Sequence, residues 1–444
     1  MTGAALPSTG AQAMLWLEAL APSGVRLGLD RVHAALRAVK SPERDYPAVH
    51  VAGTNGKGST CAFIAACLSA QGYRVGLYTS PHLVRVNERF KVNGQDISDA
   101  LLGQRLLEVL ELYPEAAADP PPLTYFEAGT VAALWHFSRE QVDVAVLETG
   151  LGGRLDATAA ARPLVTAVTP VSFDHMDYLG HTLSAIAGEK AGIFKAGVPA
   201  VSARQPPEVL AVLERVAREV GAPFFLEGRD FLLVPEAGEG AKTFHYRGLK
   251  SALPKLWPGL PGGHQVQNAA VALACLELLG DRGLPVAPAH AREGLAGAEW
   301  PGRLETLDGR PPVVLDGAHN PAAVETLVAA LATLYPGRRV HLVFGVLADK
   351  DRRPMLRTLL PVCASAHLSP LPSMRSLAPD RYLAEARELC PKAFACASVR
   401  EALDGAVAAA GAGDLVLCAG SLFLVGQVKR LVEEGWKRAP GPLD

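Results

Sequence analysis

The sequence carries no excess of either charge: 43 lysines and arginines stand against 45 aspartates and glutamates, a formal net charge of -2. A surface that tracks nucleic-acid phosphates or an anionic membrane needs a basic surplus, so neither partner is expected. Long apolar runs are missing as well. A spanning helix needs roughly 18 or more such residues, and no stretch supplies them. The first basic residue is Arg26, and Glu18 interrupts the apolar stretch from Met14 to Leu20. That is not the charge layout of a secretory leader, and a cytoplasmic protein is expected. Cysteine is scarce: seven residues, odd in number, scattered, never spaced as CxxC. A disulfide framework and a structural zinc site are therefore not expected. Cys61 and Cys67 fall on one predicted helix but point about 240° apart around it. All seven read as small apolar fillers. No internal repeat and no low-complexity tract is present.

What the chain does have is length and apolar content. Its 444 residues are 49% hydrophobic, enough for two or three domains with sizeable cores. Apolar runs of strand length alternate with helical patterns, the signature of βα units wound into mostly parallel sheets. One series starts at Val49–Ala52, with a glycine-rich loop and a helix through Cys61, Ile64 and Leu68. It continues through Val75–Tyr78, a helix near Phe126–Phe137, Val142–Leu147 and Val165–Val168. A polar stretch from Glu236 to Lys250 reads as a hairpin or excursion at the edge, and a helix returns over Gln265–Leu279. A second series opens with Val313–Leu315, a turn at Asp316–Pro321 and a helix to Leu334. It runs on through Val340–Phe344 and closes with Leu415–Cys418 and a helix from about Leu422 to Glu434. The fold class is α/β: a P-loop-type, doubly wound, mostly parallel sheet domain over 1–297, then a smaller Rossmann-like α/β domain over 298–444. The segment Gly294–Gly302, with Trp300-Pro301-Gly302, is the expected linker.

The densest chemistry lies in His50-Val51-Ala52-Gly53-Thr54-Asn55-Gly56-Lys57-Gly58-Ser59-Thr60. A strand, a glycine-rich turn, a lysine and two hydroxyls precede a helix. Glycines let backbone N–H groups converge on anionic oxygens, and the helix N-terminus adds partial positive charge. Lys57 would reach the terminal phosphates. The spacing departs from GxxxxGK[ST], since Val51 stands five before Gly56 and Gly58 separates Lys57 from Ser59. A turn that merely needs glycines is the bland alternative.

Further candidates sit at predicted strand ends, where open α/β sheets place ligands. Glu148 ends an apolar strand and is followed by Thr149, Gly150, Gly152 and Gly153. It is a magnesium candidate, with a capping or solvated acid as the alternative. Asp174-His175 follows Val165–Val168, and His175 reads as a metal or phosphate contact or as a structural histidine. Thr79-Ser80-Pro81-His82 follows Val75–Tyr78, where Ser80 would add a hydroxyl to the metal. In the second domain Asp316-Gly317-Ala318-His319-Asn320-Pro321 is either a ligand contact or an Asn320 helix cap with a satisfied Asp316.

These blocks together resemble the folylpolyglutamate and dihydrofolate synthases of the Mur ligase superfamily. The resemblance rests on Leu27-Gly28-Leu29-Asp30-Arg31, the loop Gly53–Thr60, Thr79–Leu83, Leu123–Glu127, Glu148–Thr158, Asp174-His175, Gly188–Ile193, His264-Gln265 with Asn268, Pro301–Glu305, Asp316–Pro321 and Gly420–Phe423. It implies ATP-dependent ligation of glutamate to dihydropteroate or folate through an acyl phosphate. Thr54, Asn55, Gly56, Lys57, Gly58 and Ser59 would hold phosphates, and Asn268, Arg303, Asp316 and His319 would contact ATP in a cleft between domains. Ser80, Glu148 and His175 match magnesium ligands. Lys190 matches a lysine that is carbamylated and so joins the metal set, and the catalytic set would be Lys57, Lys190 and His175. Thr79, Thr124, Phe126, Glu127, Leu155, Asp156 and Ala157 match the region that receives the pterin. An aromatic such as Phe126 offers a face for a flat heterocycle, with core packing as its alternative. Family members commonly carry asparagine where this chain has Ala159, which removes any contact that side chain makes. The resemblance favours a monomer. One activity or both, the preferred folate and the polyglutamate length stay open. A ligase acting on UDP-linked peptides and a nucleotide-gated binding protein are the competing classes.

Overall fold

The computed structural model describes residues 6–21, 24–118, 122–236 and 243–436. They divide into two compact units, one of Met1–Pro81, Val86–Gly259 and Gln265–Glu299, the other of His82–Arg85, Leu260–His264 and Trp300–Asp444.

The first unit is built on eight strands: β1 (Ala48–Ala52), β2 (Val75–Tyr78), β3 (Phe90–Val92), β4 (Gln95–Asp96), β5 (Val144–Glu148), β6 (Pro163–Val168), β7 (Ala200–Ser202) and β8 (Phe224–Leu226). Their order is β4-β3-β2-β5-β1-β6-β7-β8. All neighbours are parallel except β2-β3 and β3-β4, which form an antiparallel edge. β1, β2 and β5 are buried along their whole length, which is why they read as mostly apolar runs without alternation, interrupted only by His50 in β1 and by Glu148 at the end of β5. The chain leaves β1 toward one side of the sheet and returns to the other with β6, so the C-terminal end of β1 is the switch point where such sheets open a crevice.

Helices Lys57–Ala70 and Tyr125–Arg139 pack on this sheet and are buried almost all round, as helices covered by further layers must be. Tyr125–Arg139 starts with a capping box: Thr124 Oγ1 accepts from Glu127 N, and Glu127 Oε2 accepts from Thr124 N. The expected edge excursion is a three-stranded antiparallel sheet of β9 (Leu232–Pro235), β10 (Phe244–Arg247) and β11 (Ala252–Leu256). Residues 237–242 of the expected 236–250 stretch lie outside the described residues.

The second unit carries β12 (Glu305–Leu307), β13 (Val313–Leu315), β14 (Val340–Phe344), β15 (Cys363–Leu368), β16 (Ala393–Ala395) and β17 (Leu415–Ala419), ordered β12-β13-β17-β14-β15-β16. Only β12 runs antiparallel to its neighbour. Two core clusters, around Phe344 and Leu417 and around Val343 and Val416, lie on the two faces of this sheet, as strict alternation along a strand requires.

The expected linker is corrected in one respect. Gly294–Gly297 is the last turn of the helix Pro288–Gly297, which packs on Lys57–Ala70 with Cys67 Sγ 3.5 Å from Ala291 O. The last passage from the first unit to the second therefore falls between Glu299 and Trp300, within the expected stretch but after its helical part. All seven cysteines are free thiols, six of them buried. Among the described residues no helix is long and apolar enough to cross a membrane.

Candidate active site

Strand register builds the site. Val51 of β1 pairs with Glu148 of β5, Leu147 of β5 with Tyr78 of β2, and Ala52 of β1 with Val168 of β6. Three loops therefore leave the sheet close together at the C-terminal ends of its interior strands β1, β2 and β6: Gly53–Gly56, Thr79–Pro81 and Thr169–His175. Glu148 stands between them, 4% exposed. Its Oε2 accepts a hydrogen bond from Ser80 N at 3.1 Å, and its Oε1 lies 3.9 Å from Lys57 Nζ.

The glycine loop has no space for side chains at two points. Gly53 takes φ +147°, and a Cβ there would lie 1.9 Å from Thr169 Oγ1. Gly56, at φ +88°, would place one 2.4 Å from Asn268 Oδ1. Only glycine meets both demands without strain. The loop is tied down from β6: Thr54 N and Asn55 N donate to Pro170 O at 3.0 and 3.2 Å. Thr54 Oγ1 donates to Ser172 O and accepts from Ser172 N, and Asn55 Nδ2 donates to Ser172 Oγ. Gly56 caps the helix that Lys57 opens, with Gly58 and Ser59 buried in its first turn. Lys57 Nζ donates to Thr54 O at 3.2 Å.

Lys190, near the end of the helix Leu183–Ala191, is 4% exposed and donates through Nζ to Gly53 O at 2.7 Å. Burial, reinforced by the Lys57 cation and opposed by Asp174 and Asp156, pulls its pKa down to about 7. A buried lysine with that pKa spends much of its time as a free amine at neutral pH. Asp174 Oδ1 accepts from His175 N, and the His175 ring is 3.9 Å from the same oxygen, with its side chain 39% exposed. The first unit thus gathers Lys57, Ser80, Glu148, Asp174 and Lys190 about the glycine loop, with His175 at the rim.

Beside this lies an aromatic wall. The Phe126 and Tyr78 ring centroids are 6.0 Å apart, and a Cβ on Gly150 would come within 2.5 Å of the Phe126 ring. Asp156 is buried and accepts four hydrogen bonds: from Gly150 N and Leu151 N on Oδ2, and from Thr158 N and Oγ1 on Oδ1. It caps the short 3-10 helix Ala157–Ala160, in which Ala159 is buried; Leu155 is half-buried just before it. Thr79 is buried, its N–H donating to Arg89 O. Glu127 is committed to the Thr124 cap and to Arg31, whose Nη2 reaches Glu127 Oε1 at 2.7 Å.

In the second unit Asp316 Oδ2 accepts from Leu304 N and Oδ1 from Ala318 N, while Asn320 Oδ1 caps the helix Pro321–Leu334. The capping alternative thus describes what these two side chains do here. His319 Nδ1 is 2.8 Å from Gly317 O, and Arg303 Nη1 donates to Gly302 O.

Sequence reasoning passed over Thr169 and Ser172, which brace the loop. It passed over Gln265 as a site residue too, although Gln265 Oε1 accepts from Asn268 Nδ2 at 2.8 Å and so orients it against Gly56. The signal for the first two is local: polar residues directly after the end of β6.

Residues 51–203 match the Mur ligase middle domain, and residues 302–422 match the Mur ligase glutamate ligase domain. The chain is 36% identical over 423 residues to a dihydrofolate synthase/folylpolyglutamate synthase of Bacillus subtilis, covering 94% of this chain and 97% of that one. Its structure is similar to folylpolyglutamate synthase of Mycobacterium tuberculosis complexed with ADP and AMPPCP, with TM-score 0.88, 33% identity and coverage of 97% and 100%. It is similar as well to Escherichia coli FolC in complex with DHPP and ADP, with TM-score 0.86, 35% identity and coverage of 96% and 98%.

Proposed function

The chain belongs to the dihydrofolate synthase/folylpolyglutamate synthase family of Mur ligases, and from that premise we propose that it joins L-glutamate to dihydropteroate, to the γ-carboxylate of a reduced folate, or to both, at the cost of ATP. The observation that carries this reading is the placing of the Glu148 carboxylate between Lys57 Nζ and Ser80 N, beside a glycine loop that excludes side chains.

The chemistry follows from what a carboxylate lacks. It is a poor acyl donor in water, so the γ-phosphoryl group of ATP is first transferred to one carboxylate oxygen and ADP leaves. The amine of glutamate then attacks the acyl carbon, phosphate departs, and the amine loses a proton. Little covalent work falls to the protein; positioning and charge stabilisation dominate. The backbone amides of Thr54–Ser59 and the Lys57 ammonium are suited to hold the phosphates. Asn268, Arg303, Asp316 and His319 are assigned to the rest of the nucleotide.

Magnesium fits the donors present. Among the described residues no three His, Cys, Asp or Glu side chains gather as a metal cage. A single buried carboxylate near a serine is what a hard cation takes when phosphate oxygens and water complete its shell. Glu148, Ser80 and His175 would hold it, and when bound it neutralises charge on the transferring phosphoryl group. Lys190 as a free amine is suited to bond through Nζ to the carbon of carbon dioxide with loss of one proton, turning the neutral amine into a carbamate anion. The pteroate end is assigned to the wall of Thr79, Thr124, Phe126, Glu127, Leu155, Asp156 and Ala157. With Thr124 and Glu127 committed to the cap, their part is to fix the helix that presents Phe126.

The test is glutamate-dependent phosphate release by the purified chain with ATP and magnesium, comparing dihydropteroate with reduced folates. We expect turnover with at least one of them and a loss of orders of magnitude in Lys57→Ala. Undiminished turnover in that variant would remove Lys57 from its role.

A further inference from the structure

His50 sits in the middle of β1, fully buried, and nothing in the scheme above uses it. Its Nε2 is 2.8 Å from Thr158 Oγ1, and the Thr158 hydroxyl donates to Asp156 Oδ1. The direction of this chain is fixed. A hydroxyl has one hydrogen, which goes to the carboxylate, so imidazole Nε2 carries the hydrogen that Thr158 accepts. Nδ1 is then a bare lone pair, and it is buried without a partner. An unsatisfied buried nitrogen costs free energy and calls for a reason. Burial, with Lys195 acting in the same direction, holds the ring pKa at about 3. His50 is therefore neutral at any working pH and acts as a donor, not as a proton carrier.

At the far end of the relay Asp156 Oδ2 takes the amides of Gly150 and Leu151 at 3.0 and 2.8 Å. Gly150 is the residue against which the Phe126 ring lies. A carboxylate held on one oxygen only would turn about its soft terminal torsion and release those amides. Thr158 N and Oγ1 on Oδ1 prevent this, and His50 holds the hydroxyl in place.

We propose that His50 and Thr158 are positioning residues for the carboxylate acceptor: through Asp156 they hold the loop Thr149–Gly153 against Phe126 in the arrangement that receives the pterin ring. This rests on the ligase reading given above. β1 then serves both halves of the reaction, ending in the phosphate loop and bracing the acceptor wall from its middle, and the relay acts on the acceptor alone.

Thr158→Val keeps the shape and removes the hydroxyl, whereas Thr158→Ser keeps it; His50→Leu removes the donor, whereas His50→Gln supplies an amide N–H in its place. We expect Thr158→Val and His50→Leu to raise KM for dihydropteroate or folate about tenfold, the loss of about one buried hydrogen bond. KM for ATP should stay within about twofold, and the serine and glutamine variants should return most of the loss. The double variant should be hardly worse than either single one, since both cut one chain. Equal rises in both KM values, or additive losses, overturn the relay. Amide hydrogen exchange over Thr149–Gly153 needs no substrate: it should quicken in Thr158→Val and slow again in Thr158→Ser, and unchanged exchange overturns the relay whatever the protein acts on. Absence of turnover by the unaltered chain with every pteroate and folate instead removes the ligase reading.

Discussion

Gly56 is one of the two residues at which the phosphate loop has no space for a side chain. Its left-handed backbone costs an L-residue roughly 1–2 kcal/mol, and an added Cβ would press on Asn268 Oδ1, which Gln265 holds in place. Gly56→Ala is therefore expected to weaken binding of an ATP analogue at least about tenfold and to lower the melting temperature by about 2–4 °C. Calorimetric titration and a melting curve check both; unaltered affinity would mean that the loop tolerates a side chain facing Asn268. At this scale the sequence is legible where chemistry is local. The glycines, Lys57 and Glu148 announce themselves, because a phosphate cradle is a short contiguous pattern. Asn268 and Lys190 do not. Asn268 meets Gly56 only through the fold, and the free-amine character of Lys190 comes from burial beside Lys57, which no spacing reveals.

Strands buried on both faces are legible for the same reason that they are stable. Val75–Tyr78 is a continuous apolar run and Val340–Phe344 is broken only by the buried His341, and both form strands over those residues. The stretch after Gly221 is harder to read, since its order depends on one distant carboxylate. Glu277, on the helix His264–Gly280, accepts from Tyr246 Oη, Leu249 N, Lys250 N, Ser251 N and Ser251 Oγ. It closes the turn between β10 and β11 from outside. Glu277→Ala would strand several donors at once, so we expect a loss of about 2–3 kcal/mol in urea unfolding. Glu277→Gln, which keeps one acceptor oxygen, should recover part of it. A loss below about 0.5 kcal/mol would show that the small sheet is held by its apolar contacts alone.

For the whole molecule, length and the two βα series announce two units. They do not announce that His82–Arg85 and Leu260–His264 belong with the second, because short crossings carry no periodicity. Nor does composition reveal how the molecule responds to acid, which depends on where its histidines lie. Burial lowers the pKa of His50 to about 3 and of His136 and His367 to about 4, against roughly 6.5 in an unfolded chain. Between those values the unfolded chain binds protons that the folded one refuses, so stability rises with pH and falls on acidification. Each such group contributes a slope of about 1.4 kcal/mol per pH unit inside its window. Asp414 acts lower down. Arg339, the Gly411 amide and His341 hold its carboxyl well below the usual range, so its contribution is complete above about pH 4 and is lost only below that. Urea midpoints are therefore expected to fall steadily from about pH 6.5 to about pH 4.5. His136→Gln and His367→Gln should each flatten that slope, and Asp414→Asn should leave it unchanged there while lowering stability throughout. A midpoint constant across this range would mean that these three rings are not held neutral by burial.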